Sequence, residues 1–136
     1  MIRENSRILI VDDFQMVRIM LKDVLKQLNM TNVEEATNGR EALDMLNTAV
    51  KEGKGFELVF CDWNMPEMDG MELLKVVRKG PVLGGIPFIL VTAESDKDAM
   101  FNALVSGATD YIVKPFSAFT LKTKIEKIQK RLQKAA

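Results

Sequence analysis

The chain has 136 residues, 47% apolar and 28% charged, with nineteen basic side chains balanced by nineteen acidic ones. That is the size and composition of one soluble globular domain able to bury its own core, and a net charge of zero gives no bulk attraction to nucleic acid or to a membrane surface. Histidine is absent, which removes phosphohistidine carriers, histidine-ligated zinc sites and Ser-His triads, and the single cysteine, Cys61, cannot make an internal disulfide and fits a reducing cytoplasm.

The amino terminus carries charge through Arg7 and lacks the apolar core of a secretory signal, and no run reaches membrane-spanning length. A first strand is expected over 7–11, where Ile8-Leu9-Ile10-Val11 runs directly into two acids, Asp12 and Asp13. Val17, Met20, Leu21, Val24, Leu25 and Leu28 then form an apolar stripe at helical spacing. A second strand is expected over 33–36, and a second helix carries Ala42, Leu43, Leu46, Ala49 and Val50. The polar stretch 51–55 reads as a connector. The third strand, 58–61, ends at Asp62, and a helix from about Gly70 carries Leu73, Leu74 and Val77. After the Gly/Pro-rich connector 80–85, a strand over 88–92 ends on Thr92. A fourth helix is expected from an N-cap at Ser95-Asp96 to a stop at Gly107. A fifth strand, 111–113, is followed by Lys114, and Leu121, Ile125, Ile128 and Leu132 mark a final helix.

Strands alternating with helices predict parallel βαβ units with right-handed crossovers, an α/β fold, in a single domain spanning 1–136. In a parallel sheet every strand's carboxyl end opens on the same edge, where open α/β folds place their chemistry. Asp12, Asp13, Asp62, Thr92 and Lys114 therefore converge although they are distant in sequence. Singly, each reads as a turn or cap residue. Jointly, at the ends of four strands, they predict a metal-assisted phosphoryl site. Three crowded carboxylates need a compensating cation, and an all-oxygen set suits Mg2+. Asp62 is then the nucleophile, forming an acyl phosphate, with the lysine as a point charge and the threonine as a hydroxyl donor toward phosphoryl oxygens.

Those residues stand in the segments Val11-Asp12-Asp13-Phe14, Val33-Glu34-Glu35-Ala36, Asp62-Trp63-Asn64-Met65-Pro66, Met68-Asp69-Gly70, Val91-Thr92-Ala93-Glu94 and Tyr111-Ile112-Val113-Lys114-Pro115-Phe116. In that order, over residues 7 to about 132, the chain resembles the receiver domains of two-component response regulators, most closely the CheY family of chemotaxis. The resemblance implies a flavodoxin-like, doubly wound, five-stranded parallel sheet of order 2-1-3-4-5 with five helices, an order already known for chemotaxis receivers and carried over with the likeness. It implies that Asp62 is phosphorylated by a histidine kinase and that Asp12, Asp13, Asp62 and the carbonyl of Asn64 surround Mg2+, Asp12 mainly through water. It implies a cis Lys114–Pro115 bond, a Thr92–Tyr111 switch, and Asn64 and Glu94 as residues that set phosphoryl lifetime.

The same resemblance implies a signalling switch rather than an enzyme, cytoplasmic and monomeric, that binds neither nucleic acid nor membrane. Its donor would be a CheA-like kinase, its target a FliM-like flagellar switch protein, and a CheZ-like phosphatase a further partner. The expected interaction face comprises Lys97, Met100, Tyr111, Val113 and Lys124, with Trp63 beside the site as an optical reporter. The basic run Lys122, Lys124, Lys127, Lys130, Arg131 and Lys134 reads either as a solvated face or as part of that surface. Met65, Met68 and Met100 stand at exposed-looking positions, adaptable if a partner docks there, although most of the methionines read as ordinary core filling. Two other classes compete. One is a phosphorelay intermediate or phosphate sink. The other is an aspartyl-nucleophile hydrolase, which expects a second acid where Asn64 stands. Relative to the chemotaxis pattern, Gln15-Met16-Val17 replaces small hydroxyl residues and Phe119 replaces a small one.

Overall fold

In a computed structural model, the structure describes residues 4–81, 83–93 and 97–135. Among them β1 (Ile8–Val11), β2 (Val33–Ala36), β3 (Leu58–Asp62), β4 (Phe88–Thr92) and β5 (Asp110–Val113) alternate with α1 (Gln15–Gln27), α2 (Gly39–Lys51), α3 (Gly70–Lys79), α4 (Lys97–Val105) and α5 (Ala118–Ala135). All strand pairs are parallel, in the order β2-β1-β3-β4-β5. The expected flavodoxin-like, doubly wound architecture is the one observed.

Because successive strand side chains point to opposite faces, the strands split into two cores. Leu9, Val11, Val59, Cys61, Phe88 and Leu90 face Ala42 and Leu46 of α2, Leu73, Leu74 and Val77 of α3 and Ala103 of α4. Ile8, Ile10, Leu58, Phe60, Ile89 and Val91 face Leu21, Val24 and Leu25 of α1 and Leu121, Ile125 and Ile128 of α5. The central strands β1, β3 and β4 are buried on both sides, which is why they read as unbroken apolar runs.

Local chemistry sets the helix starts. Asn38 accepts a hydrogen bond from the Glu41 amide at 2.8 Å to begin α2. Asp69 and Glu72 form a reciprocal capping box at α3. At the other end of α3, the Arg78 guanidinium donates to the carbonyls of Gly84, Ile86 and Gly107, which ties residues 84 and 86 of the connector to the chain turn after α4.

Four boundaries differ from expectation. β1 starts at Ile8, not at residue 7, because Arg7 is drawn to Glu34, the Lys54 carbonyl and the Phe56 ring. β3 runs one residue further, since Asp62 pairs with Val91 in the ladder. β5 starts at Asp110, which pairs with Ile89. α4 ends at Val105, and Gly107 (φ +110°) then turns the chain so that the Ala108 amide bonds back to the Ala103 carbonyl at 3.0 Å. The expected N-cap Ser95-Asp96 lies outside the described residues.

Candidate functional site

Strand register assembles the site. Val11 stands opposite Cys61, so Asp12 and Asp62 leave adjacent strands at the same level. Asp62 is opposite Val91 and Thr92 is opposite Val113, so Thr92 and Lys114 follow one step on. Asp12, Asp62 and Thr92 are buried, at 1%, 5% and 1% exposure, while Asp13 is exposed. The carboxylate oxygens of Asp12, Asp13 and Asp62 lie within 4.8 Å of one another. Lys114 reaches across them: its Nζ is 3.1 Å from Asp12 Oδ2 and 3.2 Å from Asp62 Oδ1. The main chain reinforces this, for the Lys114 amide donates to the Thr92 carbonyl at 2.7 Å, and the Lys114–Pro115 bond is cis.

The electrostatics are unbalanced. Burial and the neighbouring Asp12 carboxylate push the Asp62 carboxyl above its ordinary range, and Lys114 opposes that shift without cancelling it. One ammonium compensates only part of the charge of three carboxylates. A hard divalent cation fits this donor set, since oxygen ligands with retained waters are what such ions prefer. Cys61, fully buried next to the acids, has its thiol held well above its usual range by burial and then by Asp62. It is an inert core residue.

The rim after β3 is built by close approach. The Gly70 amide donates to the Trp63 carbonyl at 2.8 Å, and a Cβ on Gly70 would collide with the Asp62 carbonyl. Trp63 is half-buried against the core, and Asn64 is exposed two residues beyond Asp62. Met65 and Met68 pack against the core, in line with the core-filling reading of the methionines, and Met100 is half-buried. Among the described residues the exposed methionines are Met16 (72%) and Met20 (41%) on α1. Tertiary packing decides this, and a methionine's exposure has no periodic signature.

Of the expected switch and interaction residues, Tyr111 is half-buried on β5, with the Lys124 ammonium 5.2 Å from its ring centroid. Val113 is half-buried and Lys97 exposed. Glu94 lies outside the described residues. The basic run on α5 is not uniformly solvated: half-buried Lys124 pairs with Asp110 at 3.2 Å, and exposed Arg131 pairs with it at 3.3 Å, whereas Lys127 and Lys130 are exposed.

Sequence reasoning missed three features. Asp110, which pairs with Lys124 and Arg131 of α5, carries no local signal in the sequence. An apolar cleft of about 280 Å³, lined by Met16, Val17, Met20, Lys114, Pro115 and Phe116, opens beside the site. Its signal was present in the apolar residues that replace hydroxyls at the start of α1. Arg18, on the inner part of the same helix, donates to the Asp12 carbonyl at 2.7 Å and to Glu35 at 2.9 Å. Nothing local marks it, because both contacts are non-local.

Comparison with known proteins gives a consistent answer. The family model described as the response regulator receiver domain matches residues 8–126. The chain is 44% identical over 131 residues to chemotaxis protein CheY-3 of Vibrio cholerae, covering 96% of this chain and 97% of that one. It is 44% identical over 126 residues to chemotaxis protein CheY of Pseudomonas aeruginosa, covering 93% and 98%. Among solved structures, the chemotaxis response regulator CheY4 of Vibrio cholerae superimposes with a TM-score of 0.77 at 32% identity, covering 91% of this chain and 98% of that one.

Proposed function

This chain belongs to the response regulator receiver domain family, and from that premise we propose that it is a phosphorylation switch with Asp62 as the phosphoryl acceptor. The observation that carries the reading is Lys114, whose ammonium bridges Asp12 and Asp62 at the mouth of a three-carboxylate cluster. A carboxylate oxygen of Asp62 attacks the phosphorus of a phosphohistidine on a donor protein. The P–N bond breaks, its electron pair stays with the imidazole, which takes up a proton, and Asp62 is left as an acyl phosphate. Lys114 offers its charge to one phosphoryl oxygen and Thr92 its hydroxyl to another. Asp12, Asp13, Asp62 and the carbonyl of Asn64 would hold magnesium, which supplies charge neutralisation on the phosphoryl oxygens.

The phosphoryl group biases a two-state element made of Thr92 and Tyr111, and the face bearing Lys97, Met100, Tyr111, Val113 and Lys124 carries the output. The protein acts as a switch and not as an enzyme on external substrates: phosphotransfer and hydrolysis both take place on its own Asp62, with Asn64 and Glu94 setting the lifetime. Relatives at 44% identity are named chemotaxis proteins. On that support we read a CheA-like kinase as donor, a FliM-like flagellar switch protein as target and a CheZ-like phosphatase as terminator, all in the cytoplasm. Among the described residues no helix is long and apolar enough to cross a membrane.

Capture experiments separate this from a relay role. With magnesium and beryllofluoride, the immobilised chain is expected to retain a FliM-like switch protein, and an Asp62→Asn chain to retain none. Retention of histidine phosphotransfer domains alone would move the assignment to a phosphorelay. Retention indifferent to beryllofluoride would remove the switch.

A further inference from the structure

We propose that Arg18 is a positioning residue that sets the Asp12–Asp13 acid pair for a divalent cation. The inference rests on the reading of the carboxylate cluster as a cation site. Asp12 is anchored at each of its polar groups. Its amide donates to the Ala36 carbonyl at 3.1 Å. Its Oδ1 accepts from the Phe14 amide at 2.8 Å, and its Oδ2 accepts from Lys114. The remaining group, the carbonyl, accepts from Arg18 Nη1 at 2.7 Å.

That carbonyl belongs to the peptide joining Asp12 to Asp13. The peptide is planar, so fixing its oxygen also fixes the nitrogen and the Cα direction of Asp13. Asp13 is exposed, and its aim toward the other two carboxylates depends on the main chain that carries it. Arg18 is itself held: its side chain is only 13% exposed and its Nε donates to Glu35 Oε1 at 2.9 Å. Glu35 sits on β2 opposite Ile10 of β1, and its other oxygen accepts from Lys22 Nζ at 3.2 Å. The planar guanidinium fork reaches both acceptors at once, which a lysine ammonium on a flexible stem does not reproduce. A chain of contacts thus runs from the edge strand to the peptide between two metal-site acids.

Two effects of removing Arg18 have opposite signs. Loss of a nearby positive charge tightens cation binding, whereas loss of positioning weakens it, so the sign decides. Magnesium affinity is measured by titration calorimetry on the unphosphorylated chain. Arg18→Ala is expected to raise Kd about tenfold, the low end of what outer partners of metal ligands are worth. Arg18→Lys keeps the charge and recovers only part of the loss. At saturating magnesium, labelling by acetyl phosphate returns to the wild-type rate. Unchanged or tighter binding in Arg18→Ala overturns the proposal. Where that variant does not fold, Arg18→Gln, which removes the same charge but keeps an unbranched stem, decides in its place: a raised Kd supports positioning and an unchanged or lowered one overturns it. Asp13→Asn guards the underlying reading. A wild-type chain that binds magnesium no better than this variant removes the cation site itself, and the Arg18 role with it.

Discussion

At the scale of the residue, the central conflict is at Asp62. The residue is 5% exposed and its ionisation is opposed by burial and by Asp12. A folded-state pKa above the unfolded value means that the folded chain holds its proton to higher pH. The contribution of Asp62 to stability is therefore greatest below the ordinary carboxylate range and is lost as pH rises through the raised value. Asp62→Asn should accordingly be more stable than wild type at neutral pH, by about 1 kcal/mol, as is usual when a conflict retained for function is relieved. The gain should shrink toward zero in acid, where Asp62 is itself protonated. Urea melts of both chains across pH measure it. A gain that persists in acid would place its origin elsewhere than in the charge. The residue identities at this site were readable in the sequence because each follows an apolar run, and an acid directly after a buried strand has few places to go. Arg18 was not readable, since its partners are the Asp12 carbonyl and Glu35, seventeen residues away.

At the scale of the element, the strands are the reliable part and their ends are the informative part. β3 was expected to stop at Cys61, yet the ladder extends through Asp62, so Asp62 is held by sheet hydrogen bonds and not by a free turn. α3 then starts as close to it as backbone allows. Gly70 has no Cβ and its amide meets the Trp63 carbonyl. Sequence reasoning placed a helix start near Gly70 but gave no hint that the glycine is required by the approach of Asp62. Gly70→Ala must push α3 or the strand end aside. The expected cost is about 2–3 kcal/mol, in the range of overpacked sites, with reduced phosphoryl labelling of the folded fraction. Chemical denaturation and labelling of the same samples check both, and an alanine chain of wild-type stability would show that the approach is not tight. The basic helix α5 carries the complementary lesson. Its sequence shows only a run of cations, while the fold pairs two of them with Asp110 and lays Lys124 beside Tyr111.

At the scale of the whole molecule, one parallel sheet between two helical layers brings residues up to 102 positions apart into ion-pair contact, as Lys114 and Asp12 show. Periodicity was enough to predict that layering, because buried parallel strands and amphipathic helices have distinct apolar patterns. It could not say which surface side chains stay exposed: Met16 and Phe119 remain at 72% and 79% exposure while Met65 and Met68 close onto the core. The same sheet places excess negative charge at one edge, and a cation that binds only the folded chain must stabilise all of it. At magnesium one hundred times its dissociation constant the gain is about 2.7 kcal/mol, a rise of several degrees in Tm for a chain of this size. Asp13→Asn should lose most of that rise, and a rise equal in both chains would detach the ion from the acid cluster.

Mapping the phosphoryl group tests the proposed role of Asp62 as acceptor most directly. The intact chain is labelled with acetyl phosphate and magnesium, digested, and its peptides are analysed by mass spectrometry. The expected result is one phosphoryl group on the peptide containing Asp62, lost in Asp62→Asn and labile as an acyl phosphate. Labelling that persists in Asp62→Asn, or that maps to Asp12, Asp13 or Thr92 in the wild-type chain, would contradict it.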